Sequence, residues 1–193
     1  MKAKDNPFAV ERIQTIRYRP LHTTFDRILA RLHELNYRAA IIGPGGSGKT
    51  TLLEDLQETL RQKGFRANLT FVNDTTCFDS PACRRLLSEL TRDIILLLDG
   101  ADLLRRSDWS LLKRHTITHA YGLVITSRRP GLLPTLIECT TSPALLKEIV
   151  TELLPRGRTI PAEFLDDLYQ RHQGNLRACF RELYDLYTRS HHI

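Results

Sequence analysis

The octapeptide GPGGSGKT, Gly43 to Thr50, follows the apolar stretch Ala39-Ala40-Ile41-Ile42 and matches the pattern GxxxxGK[ST]. An apolar strand that runs straight into a glycine-rich turn and then a helix leaves few architectures open. The turn has to sit at the carboxyl end of a buried strand. Glycines at Gly43, Gly45, Gly46 and Gly48 let successive backbone N–H groups converge on one anion, at the positive end of a helix that begins near Lys49. Phosphate is the anion this geometry suits. Lys49 would pair with β- and γ-phosphates, and the Thr50 hydroxyl would ligate Mg²⁺. The candidate binding set is Gly43, Pro44, Gly45, Gly46, Ser47, Gly48, Lys49, Thr50 and Thr51. Leu52, Leu53, Leu56 and Leu60 continue the helix, and Gly64 is placed to end it.

The chain has 193 residues, enough for one full domain or a core with a small appendage. Its longest aliphatic run, Ile94 to Leu98, is too short to cross a bilayer, and Met1-Lys2-Ala3-Lys4-Asp5 lacks the apolar stretch of a signal peptide. A cytoplasmic protein with no membrane partner is expected. Cys77, Cys83, Cys139 and Cys179 are scattered, which implies no disulfide framework, and Cys139 and Cys179 fall inside apolar patterns as core residues. A net charge of +6 and the arginine pairs Arg84-Arg85, Arg105-Arg106 and Arg128-Arg129 are compatible with a nucleic-acid partner. Solvated basic faces account for the same charge, and no known DNA-binding motif is present.

The pattern predicts three stretches: a basic, extended lead-in over residues 1–21, an α/β core over 22–141, and helices over 142–193. In the core, Thr23 with Asp26 reads as a capping box ahead of Phe25, Ile28, Leu29, Leu32 and Leu35. Strands are expected at Ala39–Ile42, Ala67–Val72, Ile94–Leu98, Gly122–Thr126 and Leu136–Cys139, alternating with helices near Pro81–Leu90 and Trp109–His119. This specifies a five-stranded, mostly parallel sheet with helices on both faces. After Ser142, a cap with Pro143 behind it, the pattern stays helical through Pro161–Gly174. The last helix, capped by Asn175, has Leu176, Cys179, Phe180, Leu183, Tyr184 and Tyr187 on one face.

Further chemistry gathers at the strand ends. Ile94-Ile95-Leu96-Leu97-Leu98-Asp99 is an apolar strand ending in a carboxylate, and Asp99 is placed to hold Mg²⁺ in the crevice beside the glycine loop. Asp102 could orient or deprotonate an attacking water, although helix capping is also open to it. Thr126 or Ser127 could hydrogen-bond a γ-phosphate, and Arg128 could stabilise its charge. A surface pair is the other reading of Arg128 and Arg129. Arg177 lies in a first helical turn, where the macrodipole disfavours a cation, and this hints at an anionic partner. Asn73 is either a turn residue or a contact of a catalytic carboxylate. His115 and His119, at i and i+4, could share a metal only with ligands that the spacing does not supply.

Together these segments resemble the additional-strand P-loop ATPases, the AAA+ and STAND groups, from Asn6 to Tyr187. GPGGSGKTT resembles Walker A, ILLLDGAD the DGxD form of Walker B in STAND proteins, VITSR the sensor 1 strand, and GNLR the sensor 2 motif GxxR. Asn6-Pro7-Phe8 is similar to the lead-in of STAND and initiator-like ATPases, where nearby backbone can contact adenine. The resemblance implies ATP as ligand, Mg²⁺ as cofactor, slow hydrolysis to ADP and phosphate, and 142–193 as a helical lid. It transfers the catalytic carboxylate to Asp102, since Gly100 follows Asp99. Arg105, Arg106 and Arg129 are candidates to act in trans in a homo-oligomer. Two other readings share the same loop: an ATP-gated adaptor or loader with a DNA or protein partner, and a small-molecule kinase. No NKxD or TKxD segment selects guanine.

Overall fold

The computed structural model describes residues 6–73 and 81–189. The five strands are β1 Arg38–Ile42, β2 Arg66–Phe71, β3 Ile94–Asp99, β4 Gly122–Ser127 and β5 Thr135–Glu138; helices connect the first four, and β5 follows β4 through a loop. The strands form one sheet in the order β2-β3-β4-β1-β5 with every pairing parallel. The sheet is more regular than the mostly parallel one expected.

Alternation along the strands sends side chains to two separate cores. Ala39, Ile41, Ile95, Leu97 and Val124 face one layer, formed by α2 (Phe25–Glu34) and α3 (Lys49–Gln62). Ala40, Ile42, Leu96, Leu98, Leu123 and Ile125 face the other, against α4 (Pro81–Ser88) and α5 (Arg106–His119). Both faces being covered explains the uninterrupted apolar runs. In α3, Leu52, Leu53, Leu56 and Leu60 are all buried to 1% exposure or less, each stabilising the fold by roughly 1.5–3 kcal/mol. Gly64 (φ 88°) ends α3 in a Schellman turn, with Phe65 N–H donating to Leu60 O and Gly64 N–H to Arg61 O.

Helix α2 is capped by Thr24, whose hydroxyl accepts from Arg27 N at 3.3 Å, so the expected capping box at Thr23 shifts by one residue. Ser142 caps α6 (Pro143–Leu153) as its sequence indicates. With α7 (Ala162–Arg171) and α8 (Leu176–Arg189), α6 encloses a third core that includes Leu146, Val150, Leu168, Cys179 and Leu183. Phe8 joins this third core at 2% exposure. The lead-in is therefore not uniformly extended: a short helix, α1 (Val10–Ile13), follows Phe8. Among the described residues no helix is long and apolar enough to cross a membrane.

Candidate nucleotide site

Parallel strands place the residues that follow β1, β3 and β4 at one end of the sheet. β4 lies between β1 and β3, so its end bridges the glycine loop and Asp99. Thr126 Oγ1 donates to Asp99 Oδ1 at 2.5 Å and accepts from Gly100 N at 2.8 Å. Thr50 Oγ1 donates to Asp99 Oδ2 at 2.9 Å. Both carboxylate oxygens of Asp99 are thus fixed by hydroxyls from neighbouring elements. A carboxylate beside a threonine hydroxyl is an oxygen donor set that suits Mg²⁺.

The loop is held by its own side chains. Lys49 Nζ donates to Gly43 O at 2.8 Å and Pro44 O at 2.7 Å, and Ser47 Oγ donates to Pro44 O at 2.9 Å. Burial lowers the Lys49 pKa from its ordinary value, while Asp99 and Asp102 pull it the other way. Lys49 is therefore a partly desolvated cation without a carboxylate ion-pair partner among the described residues. A phosphate supplies what such a group lacks.

Helix α8 approaches the loop directly. A Cβ added to Gly46 (φ 73°) would lie 1.9 Å from Asn175 Oδ1 and 3.2 Å from Arg177 N. Only glycine fits there. Asn175 also caps α8, its Oδ1 accepting from Ala178 N at 3.1 Å. Arg177 is exposed at this junction and enters no ion pair among the described residues.

Arg128 Nε meets Asp102 Oδ2 at 2.6 Å, so the proposed charge stabiliser and the proposed water-orienting carboxylate are ion-paired. Thr126, 1% exposed, directs its hydroxyl to Asp99 and Gly100, and Ser127 Oγ donates to Arg129 O at 2.7 Å. Asn73 follows β2 and is exposed; Cys77 lies outside the described residues. His115 Nε2 bonds to Leu87 O, and His119 Nδ1 to His115 O.

Sequence reasoning missed a strap over the loop. Asp55, on α3, accepts from Tyr18 N at 2.8 Å and Arg17 Nη1 at 2.6 Å, and Glu58 takes the other end of Arg17. The Tyr18 ring lies 3.2–3.3 Å from the Cβ position of Gly48. Burial and the neighbouring Cys139 thiol push the Tyr18 hydroxyl pKa up. Upstream, Asn6 Nδ2 donates to Tyr184 O at 2.9 Å and Thr188 Oγ1 at 3.0 Å; downstream, Arg19 pairs with Glu148 and Glu152 of α6. The strap thus ties both the loop helix and the C-terminal helices to one segment. Nothing in the sequence singles out Asp55, which lies in α3 among the other polar residues Glu54, Gln57 and Glu58. A groove of about 390 Å³ lies between Gln14–Arg17 and α3, with Thr51 and Glu54 on its wall.

No family model and no curated protein matches the chain. Solved structures do. RuvB from Thermotoga maritima, a Holliday junction branch migration motor, superimposes with a TM-score of 0.54 at 20% identity, over 82% of this chain and 58% of that one. AMPPCP-bound DnaA from Aquifex aeolicus gives 0.55 at 16% identity, over 81% and 57%. Replication initiator DnaA bound to AMPPCP and single-stranded DNA gives 0.55 at 15% identity, over 82% and 58%. The chain spans less than two thirds of each of these proteins. The fold shared with them is an α/β P-loop fold, a parallel five-stranded sheet with helices followed by C-terminal helices.

Proposed function

We propose that this chain, built on the P-loop fold of AAA+ ATPases, binds ATP with Mg²⁺ and hydrolyses it slowly, coupling γ-phosphate to the position of a helical lid. The observation that carries the reading is the convergence of Lys49, the Thr50–Asp99–Thr126 network and the Asn175–Arg177 turn on one loop. Residues 142–193 act as the lid, with the strap of the lead-in as its second attachment. Mg²⁺ would be held by Thr50 and Asp99, and it supplies charge neutralisation of the phosphates.

Lys49 binds the β/γ-phosphates and Arg177 reaches them from the lid, so phosphate charge holds core and lid together. Arg128 has two competing anions, the Asp102 carboxylate and the γ-phosphate. Phosphate drawing Arg128 away frees Asp102 to orient the attacking water. Thr126 acts as a positioning residue, fixing Asp99. The groove beside Thr51 and the lead-in backbone is where the base end of the nucleotide fits. Buried Cys139 and Cys179 thiols suit a reducing, cytoplasmic setting. Arg105, Arg106 and Arg129 are all exposed and suit action in trans in an oligomer.

The test is phosphate release from ATP by the wild type, Lys49→Ala, Asp102→Asn and Arg177→Ala, each with and without DNA. Turnover lost in the first, reduced in the other two and independent of DNA supports the ATPase reading. Phosphate transferred to a metabolite would favour the kinase, and turnover that needs DNA would favour the adaptor. Wild-type turnover in Asp102→Asn removes its catalytic role.

A further inference from the structure

The same parallel arrangement that gathers the nucleotide site at one end of the sheet gathers a different set at the other. Phe65 immediately precedes β2, Arg92 lies just before β3, Tyr121 immediately precedes β4, and Tyr37-Arg38 opens β1. All of these residues lie at the amino ends of the strands, the end of the sheet opposite the glycine loop. The rings of Tyr37, Phe65 and Tyr121 are in mutual contact, with centroids 5.1, 5.3 and 5.6 Å apart. Tyr121 remains 46% exposed, and Ile117 beside it 62%.

A shallow cavity of about 370 Å³ opens next to this platform, lined by Arg38, Arg92, Ile117, Thr118, Ala120 and Tyr121. Arg38 Nη2 donates to Thr116 O and Ala120 O, and Arg92 Nε donates to Thr118 O at 3.3 Å. Each guanidinium keeps further N–H donors beyond these. Neither arginine has a carboxylate partner among the described residues, and the nearby Asp93 is taken by Arg66 and Thr91. Capping the end of α5 accounts for part of each guanidinium, but it leaves their remaining N–H donors and the exposed Tyr121 ring unexplained.

We propose that this face binds single-stranded nucleic acid, with a base stacked on Tyr121 and adjacent phosphates on Arg92 and Arg38. An exposed ring flanked by guanidiniums matches the alternation of base and phosphate along a strand. A duplex keeps its base faces covered, so a single strand is the form that can reach the ring. A protein partner would bring apolar anchors, and among the described residues Ile117 is the one exposed aliphatic side chain lining the cavity. The face lies at the sheet end opposite the glycine loop, so binding here is independent of nucleotide hydrolysis and either can fail without the other.

Fluorescence anisotropy of labelled oligothymidylate and oligouridylate of about sixteen nucleotides tests this. Tyr121→Ala should weaken binding about five- to a hundredfold, the range for loss of one stacked base. Arg92→Ala should lower the salt dependence by about 0.7 in log–log slope, one phosphate contact. Lys49→Ala should bind the oligonucleotide as the wild type does. Unchanged melting and ATP affinity in Tyr121→Ala and Arg92→Ala would show that the fold is intact. Absence of wild-type binding, equal binding by Tyr121→Ala, or loss confined to Lys49→Ala overturns the proposal. So does polyglutamate competing as well as the oligonucleotide, which would assign the face to an acidic protein.

Discussion

Asn175 Oδ1 occupies the space that a side chain on Gly46 would need, 1.9 Å from the position of its Cβ. The loop glycine thus serves two partners, the phosphate it can cradle and the helix α8 that lies on it. Gly46→Ala should therefore strain the backbone at φ 73° by roughly 1–2 kcal/mol and also push α8 away. Faster proteolysis of residues 142–189 in this variant is the expected result. Asn175→Gly, which removes the obstructing side chain and keeps a tolerated cap residue, should recover part of the loss.

Asp55 joins the strap to the loop helix, and it is only 9% exposed. Asp55→Ala leaves the Tyr18 N–H without its acceptor and should cost about 1–3 kcal/mol in chemical denaturation. Because the Tyr18 ring backs Gly48, the variant should also weaken ATP binding. Loss of stability with unaltered ATP affinity would confine the strap to a structural role.

Thr126→Val keeps the shape of the side chain and deletes the hydroxyl shared by Asp99 and Gly100 N–H. Asp99 then loses one of its two fixed hydrogen bonds. The half-saturating Mg²⁺ concentration for ATP turnover should rise, while ATP affinity measured without Mg²⁺ stays near the wild-type value.

Burial holds the Lys49 pKa below its ordinary 10.5 in the folded chain. Between that lowered value and 10.5 the unfolded chain binds more protons, so through Lys49 stability rises with pH across this window. Nucleotide binding runs the other way: phosphate favours charged Lys49, so binding takes up a proton at alkaline pH, and affinity falls as pH rises through the lowered pKa. Calorimetry in alkaline buffers of different ionisation enthalpy should show this uptake and lose it in Lys49→Ala.

Much of the fold was legible because its determinants are local. The apolar runs of β1, β3 and β4 mark strands buried on both faces, and Gly64 and Ser142 mark helix ends where the structure has them. Asp99 could be placed beside the glycine loop because a parallel sheet brings strand ends together. The cap at Thr24 was misplaced by one residue, since two adjacent threonines offer the same hydroxyl. Hidden from the sequence were the contacts made over long separations: Asn6 with Tyr184, Tyr18 with Asp55, and Asn175 over Gly46. None of these has a periodic signature, because each depends on how the helices α3 and α8 are docked. The Arg128–Asp102 pair is of the same kind, two candidates with separate expected roles that turn out to touch.

Equilibrium binding of a fluorescent ATP analogue, titrated into the wild type and Lys49→Ala with Mg²⁺ present, tests the central claim most directly. Lys49 is the cation aimed at the phosphates, and removing a charge-assisted hydrogen bond of this kind should weaken binding about ten- to a hundredfold while the melting temperature stays close to that of the wild type. Equal affinity in the two proteins would contradict the account.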